Sequence, residues 1–266
     1  MKLCWLFIIY WIAILDSSNG NQVKNMTKPD RSPSKFLAKQ NNDITIKIMM
    51  HIDQPLTKKL AVEYRVNTRK KLKSVTQKIL EDVRKFFIHR SLNQTIRFKL
   101  IDTKFLRNSE RVALDENAPK YLKSYCEWQS EKKMSQKTWY YSVLLTGLDL
   151  FHVNNGRKIR SNSGRGYTKG ICNVKKSCAI VEWDPKLSGF LLAHEIGHSL
   201  GMRHDGPPYN QCKSQQNIMA LRHDFNKHPK TWSPCSWYSL KQFLKTSKAW
   251  CVKPETINRT SLKFLQ

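Results

Sequence analysis

Strand and helix periodicities alternate along this 266-residue chain, and that order predicts an α/β fold with a mostly parallel, twisted sheet. Three observations carry the prediction. Ile44, Ile46, Ile48, Met50 and Ile52 alternate with mostly polar neighbours, at the two-residue period of a strand. Leu72, Val75, Ile79, Val83 and Phe86 then recur three and four residues apart, as on an amphipathic helix. Residues 139–146 (WYYSVLLT) form a near-continuous apolar run of strand length, as suits a sheet strand covered on both faces.

The elements follow in order. Pro55 is expected to end the first strand, and one long helix is expected from about Thr57 to Phe86. Its other face carries Lys58, Lys59, Arg69, Lys70, Lys71, Lys73, Lys78, Arg84 and Lys85, read as a solvated face. Ile96, Phe98 and Leu100 mark a second strand, and Leu122, Tyr125 and Trp128 a second helix starting near Pro119. Residues 152–170, rich in Gly, Asn and Arg, read as a loop, and residues 178–183 (CAIVEW) as a further strand. A third helix covers residues 188–200, apolar at Phe190, Leu191 and Leu192 and stopped by Gly201. The chain is then irregular until a last helix at 236–247 with Trp237, Leu240 and Phe243 on one face.

Composition narrows the class. Hydrophobic residues at 40% and aromatics at 11% exclude a disordered chain. A mean hydropathy of −0.57, with one long apolar run at the N-terminus, excludes a multi-span membrane protein. Lys and Arg outnumber Asp and Glu by 47 to 20, a net charge of +27, which opens a nucleic-acid reading. Residues 1–20 read as a secretory signal: Lys2, then an apolar core too short to span a bilayer, then Ser18-Asn19-Gly20 with cleavage near Gly20. Cys4 would leave with it. Residues 21–42 are polar and basic, a tail or short remnant pro-segment. The six remaining cysteines, Cys126, Cys172, Cys178, Cys212, Cys235 and Cys251, imply three disulfides among 15 possible pairings. Sequons at Asn25, Asn93 and Asn258 agree with the secretory route. A secreted chain with no nucleic-acid motif weighs against that first reading of the charge.

The chemistry is concentrated in residues 194–205, HEIGHSLGMRHD. His194 and His198 are four apart on a helix, so both imidazoles project from one face and can grip one metal ion. Glu195 sits beside them, placed to draw a proton from water. Gly201 turns the chain so that His204 approaches as third ligand. Three neutral nitrogens leave one zinc ion its full charge and one position for water. Met219, in the run Gln216-Asn217-Ile218-Met219, fits a methionine turn beneath the metal. His51, His89, His152, His223 and His228 lack partners at ligand spacing.

The zinc motif, the Asp205 that closes it and the Met219 turn resemble a metzincin of the adamalysin (reprolysin) family, which includes snake-venom and tick salivary metalloproteases. The resemblance spans residues 43–253, the expected catalytic domain, followed by a tail at 254–266. It implies an upper α/β subdomain and a small irregular lower one, with the cleft between them and the break near Gly201. It also implies zinc on His194, His198 and His204, Glu195 as general base and then acid, and Met219 as a hydrophobic floor. The family's disulfides point to Cys172 with Cys251 and Cys212 with Cys235, which leaves Cys126 and Cys178 as the remaining pair. Three departures stand out. No cysteine lies among residues 21–42 to occupy the zinc, so the enzyme is secreted active, is controlled in another way, or is a truncated product. Asn217 stands where the family often has a cysteine. Lys47 and Pro254 stand where some members bind calcium, so calcium is not predicted. No disintegrin or cysteine-rich domain is expected after Cys251.

The function so implied is hydrolysis of internal peptide bonds in extracellular proteins, with fibrinogen, fibrin or matrix proteins as host targets and a monomeric, non-membrane enzyme. Substrate is expected to pair with an edge strand within residues 167–183. Residues 157–176 carry Arg157, Lys158, Arg160, Arg165, Lys169, Lys175 and Lys176 and no acid. That run could favour acidic substrates or hold sulfated glycans, or it is simply a solvated loop. The alternative function is a non-proteolytic binding protein on the same scaffold, adhering to heparan sulfate or cell surfaces through its basic face.

Overall fold

Isoleucines alternate along β1 (Ile44–Ile52) because that strand runs inside a sheet, between β2 (Ile96–Phe105) and β3 (Tyr141–Thr146). The computed structural model describes residues 44–107, 110–160, 164–222 and 227–253. The signal segment 1–20, the 21–42 tail, Asn25, His223, Pro254, Asn258 and the 254–266 tail lie outside the described residues. The sheet has the order β2-β1-β3-β7-β6, with β7 at Cys178–Glu182 and β6 at Gly164–Gly166. Every neighbouring pair is parallel except β6–β7, which is antiparallel.

Both faces are covered, and β3 shows why its sequence is apolar throughout. Tyr141, Val143 and Leu145 join the core formed with α2 (Thr68–Phe87) and α4 (Ser188–Ser199). Leu144 points the other way, into a second core with Tyr121, Leu122, Tyr125 and Trp128 of α3 (Ala118–Gln136). Strand alternation thus serves two cores at once.

The single long first helix is in fact two. α1 spans Gln54–Tyr64 and α2 restarts at Thr68. Pro55 does not merely end the strand; it sits in the first turn of α1, where a missing N–H costs nothing. The Asp53 carboxylate caps that turn by accepting from the Leu56 N–H at 2.8 Å. Arg65 and Asn67 both adopt φ of 57° between the helices. The break falls where the apolar stripe fails: Val62 and Val66 are 82% and 67% exposed, so no core contact holds one helix straight across.

The 152–170 segment is also more structured than a loop. β4 (His152–Asn154) and β5 (Arg157–Ile159) form a hairpin around Asn155 and Gly156, both at positive φ. β6 then forms one edge of the main sheet among the described residues. The edge strand expected within 167–183 therefore lies earlier, at Gly164–Gly166, because β7 is paired on both sides.

α4 ends at Ser199, and Gly201 takes φ of +91° while lying against Phe243; a β-carbon there would come within 3.0 Å of the Phe243 β-carbon. The following segment is irregular up to α5 (Pro234–Lys245), which Ser233 caps through the Ser236 N–H. Three disulfides staple these parts: Cys126–Cys178 joins α3 to β7, Cys172–Cys251 ties the loop before β7 to a final 3-10 turn (Ser247–Val252), and Cys212–Cys235 anchors the irregular segment to α5.

Candidate metal centre

α4 lies between the sheet and the irregular segment, and its burial on nearly every side explains its apolar composition. His194 and His198 stand one turn apart on it, ring centroids 4.7 Å apart. The turn at Gly201 returns the chain so that His204 Nε2 lies 3.3 Å from His194 Nε2 and 3.1 Å from His198 Nε2. The opposite ring nitrogens are engaged: His194 Nδ1 donates to the Ile218 carbonyl at 2.7 Å and His198 Nδ1 to the Met202 carbonyl at 3.0 Å. A carbonyl only accepts, so each Nδ1 carries the proton and each Nε2 presents a lone pair.

These nitrogens fit a metal. A tetrahedral ion bonded to nitrogen at about 2.0–2.1 Å holds its ligand atoms about 3.3 Å apart. Lone pairs converging at that spacing repel one another unless a cation lies between them. Among the described residues, His194, His198 and His204 are the group of possible ligands so gathered. Burial lowers the His198 pKa to about 4, with help from the His204 and Arg165 charges, and burial also lowers that of His204. Both are thereby kept in the neutral form that ligation requires.

Glu195 is buried beside this trio and faces β6. Burial pushes its carboxyl up to about 8, opposed by the Arg165 charge and a hydrogen bond from the Gly166 N–H. A β-carbon at Gly166 would lie 3.3 Å from Glu195 Oε2, so the edge strand approaches the carboxylate as closely as a glycine allows. Met219 is buried under α4 with its Sδ against Gly197. Its carbonyl accepts from the Asp205 N–H at 2.9 Å, which ties the third histidine's segment to this turn. The Asp205 carboxylate in turn accepts from Ser233 Oγ at 2.6 Å, and the same Ser233 caps α5.

Sequence reasoning named the side chains but missed the backbone groups that aim them. The Ile218 and Met202 carbonyls and the Gly166 N–H carry no side-chain signature. Gly164 and Gly166 flanking Arg165 were the available hint of a close approach. The other described histidines stay apart from the trio: His51 pairs with the Tyr125 hydroxyl, His89 with Ser91, His228 stacks on Phe190, and His152 begins β4. Beside His204, a cavity of about 870 Å³ is lined by Tyr209, Trp237 and Phe243 together with Lys169, Arg203 and Lys248.

Three cations of the run at 157–176 have carboxylate or aromatic partners. Arg160 is paired with both Glu116 and Asp149 at 2.8 Å, Lys158 lies over Phe151, and Lys176 lies over Tyr167.

A profile described as "Reprolysin (M12B) family zinc metalloprotease" matches residues 61–255, most of the chain. Among relatives, a human disintegrin and metalloproteinase with thrombospondin motifs 16 is 36% identical over 143 residues, 53% of this chain and 11% of that protein. The mouse disintegrin and metalloproteinase with thrombospondin motifs 18 is 34% identical over 157 residues, 58% of this chain and 13% of that protein. The Caenorhabditis elegans relative gon-1 is 30% identical over 190 residues, 64% of this chain and 8% of its own length. The matched region is therefore a small part of each relative. Metalloproteinase-II from Bacteroides fragilis superposes with a TM-score of 0.49 and 16% identity, over 76% of this chain and 54% of that one, a likeness too slight to argue from. The profile match, covering the histidine trio and every strand of the sheet except β1, settles the family: the chain belongs to the reprolysin (M12B) family of zinc metalloproteases.

Proposed function

We propose that this protein is a secreted zinc endopeptidase that hydrolyses internal peptide bonds of extracellular proteins, with Glu195 as its acid–base group. The observation that carries the reading is the convergence of three histidine Nε2 atoms beside a buried carboxylate. His194, His198 and His204 would hold zinc, and Met219 would floor their rings. Bound zinc supplies a Lewis acid that polarises the scissile carbonyl and lowers the pKa of water. Substrate would lie extended along β6, pairing with its outer edge, so that the scissile bond passes Glu195. Glu195 takes a proton from water as the water oxygen bonds to the carbonyl carbon. It then delivers that proton to the amide nitrogen as the C–N bond breaks. The Gly166 N–H steadies the carboxylate between the two transfers.

Export is supported by three disulfides, by the 1–20 signal pattern and by the sequons; of these Asn93 is exposed at a turn. No helix among the described residues is long and apolar enough to cross a membrane. Fibrinogen, fibrin and matrix proteins are the substrates to try first, and the cavity beside His204, with cations and no acid in its lining, favours acidic segments in them. The test is cleavage of gelatin and fibrinogen by folded, zinc-loaded protein. Glu195→Ala should keep its zinc and lose about 10²–10⁴-fold in kcat. Undiminished cleavage by that variant, or cleavage insensitive to a zinc chelator, refutes the mechanism. A folded, zinc-loaded protein that cleaves nothing favours the non-proteolytic binding protein instead.

A further inference from the structure

The sheet's two edges differ in chemistry. β6 faces the candidate metal centre, while β2, the opposite edge, lies four strand spacings away, roughly 19 Å. Along β2 the exposed side chains include Arg97, Lys99 and Lys104. α2 packs over the same edge, as the 2.7 Å contact of Thr76 with Thr103 shows, and exposes Arg69, Lys70, Lys71, Lys73 and Lys78. These five cations fall between positions 69 and 78, about 14 Å along the helix axis.

At one end of the row is a cavity of about 340 Å³ whose lining includes Arg69, Lys104, Arg107 and Lys132. Its one acid, Glu110, lies 4.0 Å from Lys132. Among the described residues no ion pair engages Arg69, Lys104 or Arg107. Aromatic rings hold the cations in place of carboxylates: the Arg69 guanidinium is 5.2 Å from the Phe105 centroid and the Lys132 ammonium 5.7 Å from that of Trp128. Such contacts fix the side chains without spending their hydrogen-bond donors. The positive field reaches inward, since Lys104 adds to burial in keeping His51, in the same lining, neutral. A second cavity between α2 and β2 is of mixed charge, lined by Lys73, Arg84 and Lys99 together with Glu81 and Asp102.

We propose that the α2–β2 edge binds a sulfated glycosaminoglycan, one sulfate seated among Arg69, Lys104 and Arg107 and the chain continuing along α2. A strip of cations on α2 and β2, with a polar recess at its end, matches a polymer bearing anions at intervals. Planar guanidinium groups suit the fork-like contact that tetrahedral oxyanions offer. The site is independent of the peptidase reading, because it lies on the edge away from the cleft.

The test uses the full-length chain and a heparin octasaccharide in a titration at several salt concentrations. Arg69→Ser/Lys104→Ser/Arg107→Ser should bind about 10-fold or more weakly, with a shallower salt dependence. A control that removes as much charge elsewhere, Lys186→Ser/Lys213→Ser/Lys230→Ser, should change binding little. Hydrolysis of a short neutral peptide should be the same in the site variant and the parent, which also reports folding. Should the triple variant fold poorly, Lys104→Glu alone must still weaken binding more than Lys186→Glu. Equal losses in site and control variants overturn the proposal in favour of bulk charge. Displacement of heparin by poly-glutamate at equal charge concentration overturns it in favour of an acidic protein partner.

Discussion

Gly166 and Glu195 are 29 residues apart in sequence, yet the geometry of one sets the position of the other. A β-carbon at residue 166 would lie 3.2 Å from the Glu195 carbonyl oxygen and 3.3 Å from Oε2. Gly166→Val should therefore push the carboxylate aside while leaving the three histidines in place. The expected result is unchanged zinc content with kcat reduced by about 10–100-fold, since misplacements near 1 Å carry losses of that order. Metal analysis beside steady-state kinetics decides it, and an unaltered kcat removes the positioning role. His51 offers a second residue-scale test. Burial, with the charges of Lys104 and Lys133, lowers its pKa to about 3, and its Nδ1 bonds the Tyr125 hydroxyl with the Trp128 ring 5.2 Å away. The unfolded chain binds a proton there below the ordinary value of 6.5, whereas the folded chain resists it until about pH 3. The stability this group contributes is thus complete above pH 6.5 and is lost as pH falls toward 3. Between pH 7.5 and 5, His51→Gln should lose less unfolding free energy than the parent, by about 2 kcal/mol. Parallel denaturation curves at the two pH values would disprove this.

Elements are held by two different means. β1, β2, β3, β7 and the helices α2, α3 and α4 were legible because each has an apolar pattern that a core rewards, as at Leu72, Ile79 and Val83. The α1–α2 break was not, because nothing in the charged stretch 63–71 marks where left-handed backbone at Arg65 and Asn67 interrupts the helix. β6 escaped for a related reason: a three-residue strand, two of whose residues are glycine, has no period to read. Its Asn-Gly neighbour, by contrast, was a hairpin signal that composition concealed. Where cores are thin, disulfides take over. Cys172–Cys251 closes a separation of 79 residues and Cys212–Cys235 one of 23. Replacing either pair by serine should cost roughly 2–5 kcal/mol. On loop entropy alone the longer loop should cost about 1 kcal/mol more. Urea denaturation of the two double variants measures the order, and a reversed order would place the stabilisation in contacts rather than chain entropy.

For the whole molecule, the histidine trio joins the helical layer to the irregular segment, so metal binding and folding are coupled. A ligand that binds only the folded state raises stability by about 2.7 kcal/mol at 100-fold its Kd. Removing zinc with a chelator should therefore lower Tm by several degrees, and His204→Ala should abolish the difference between zinc-loaded and stripped protein. Identical melting of the two forms of the parent would show that the histidines do not hold the ion in the folded state.

The sequence by itself determined what depends on near neighbours: the strand and helix periods, His194 and His198 on one helical face, and a stop at Gly201. The profile of chain chemistry was equally local, with six cysteines, a basic balance and an H-E-x-x-H pattern. Tertiary structure alone decided which strand is the edge and which carbonyls orient the histidines; the cysteine pairs, open among 15 on counting alone, are those the family resemblance implied. Tertiary structure also separated two sets of cations, since Arg160 in the 157–176 run is ion-paired with Glu116 and Asp149 whereas no ion pair engages Arg69, Lys104 or Arg107 among the described residues. The division has one physical cause: backbone geometry fixes what lies within a turn or a pleat, whereas contacts between distant segments are set by how the whole chain packs.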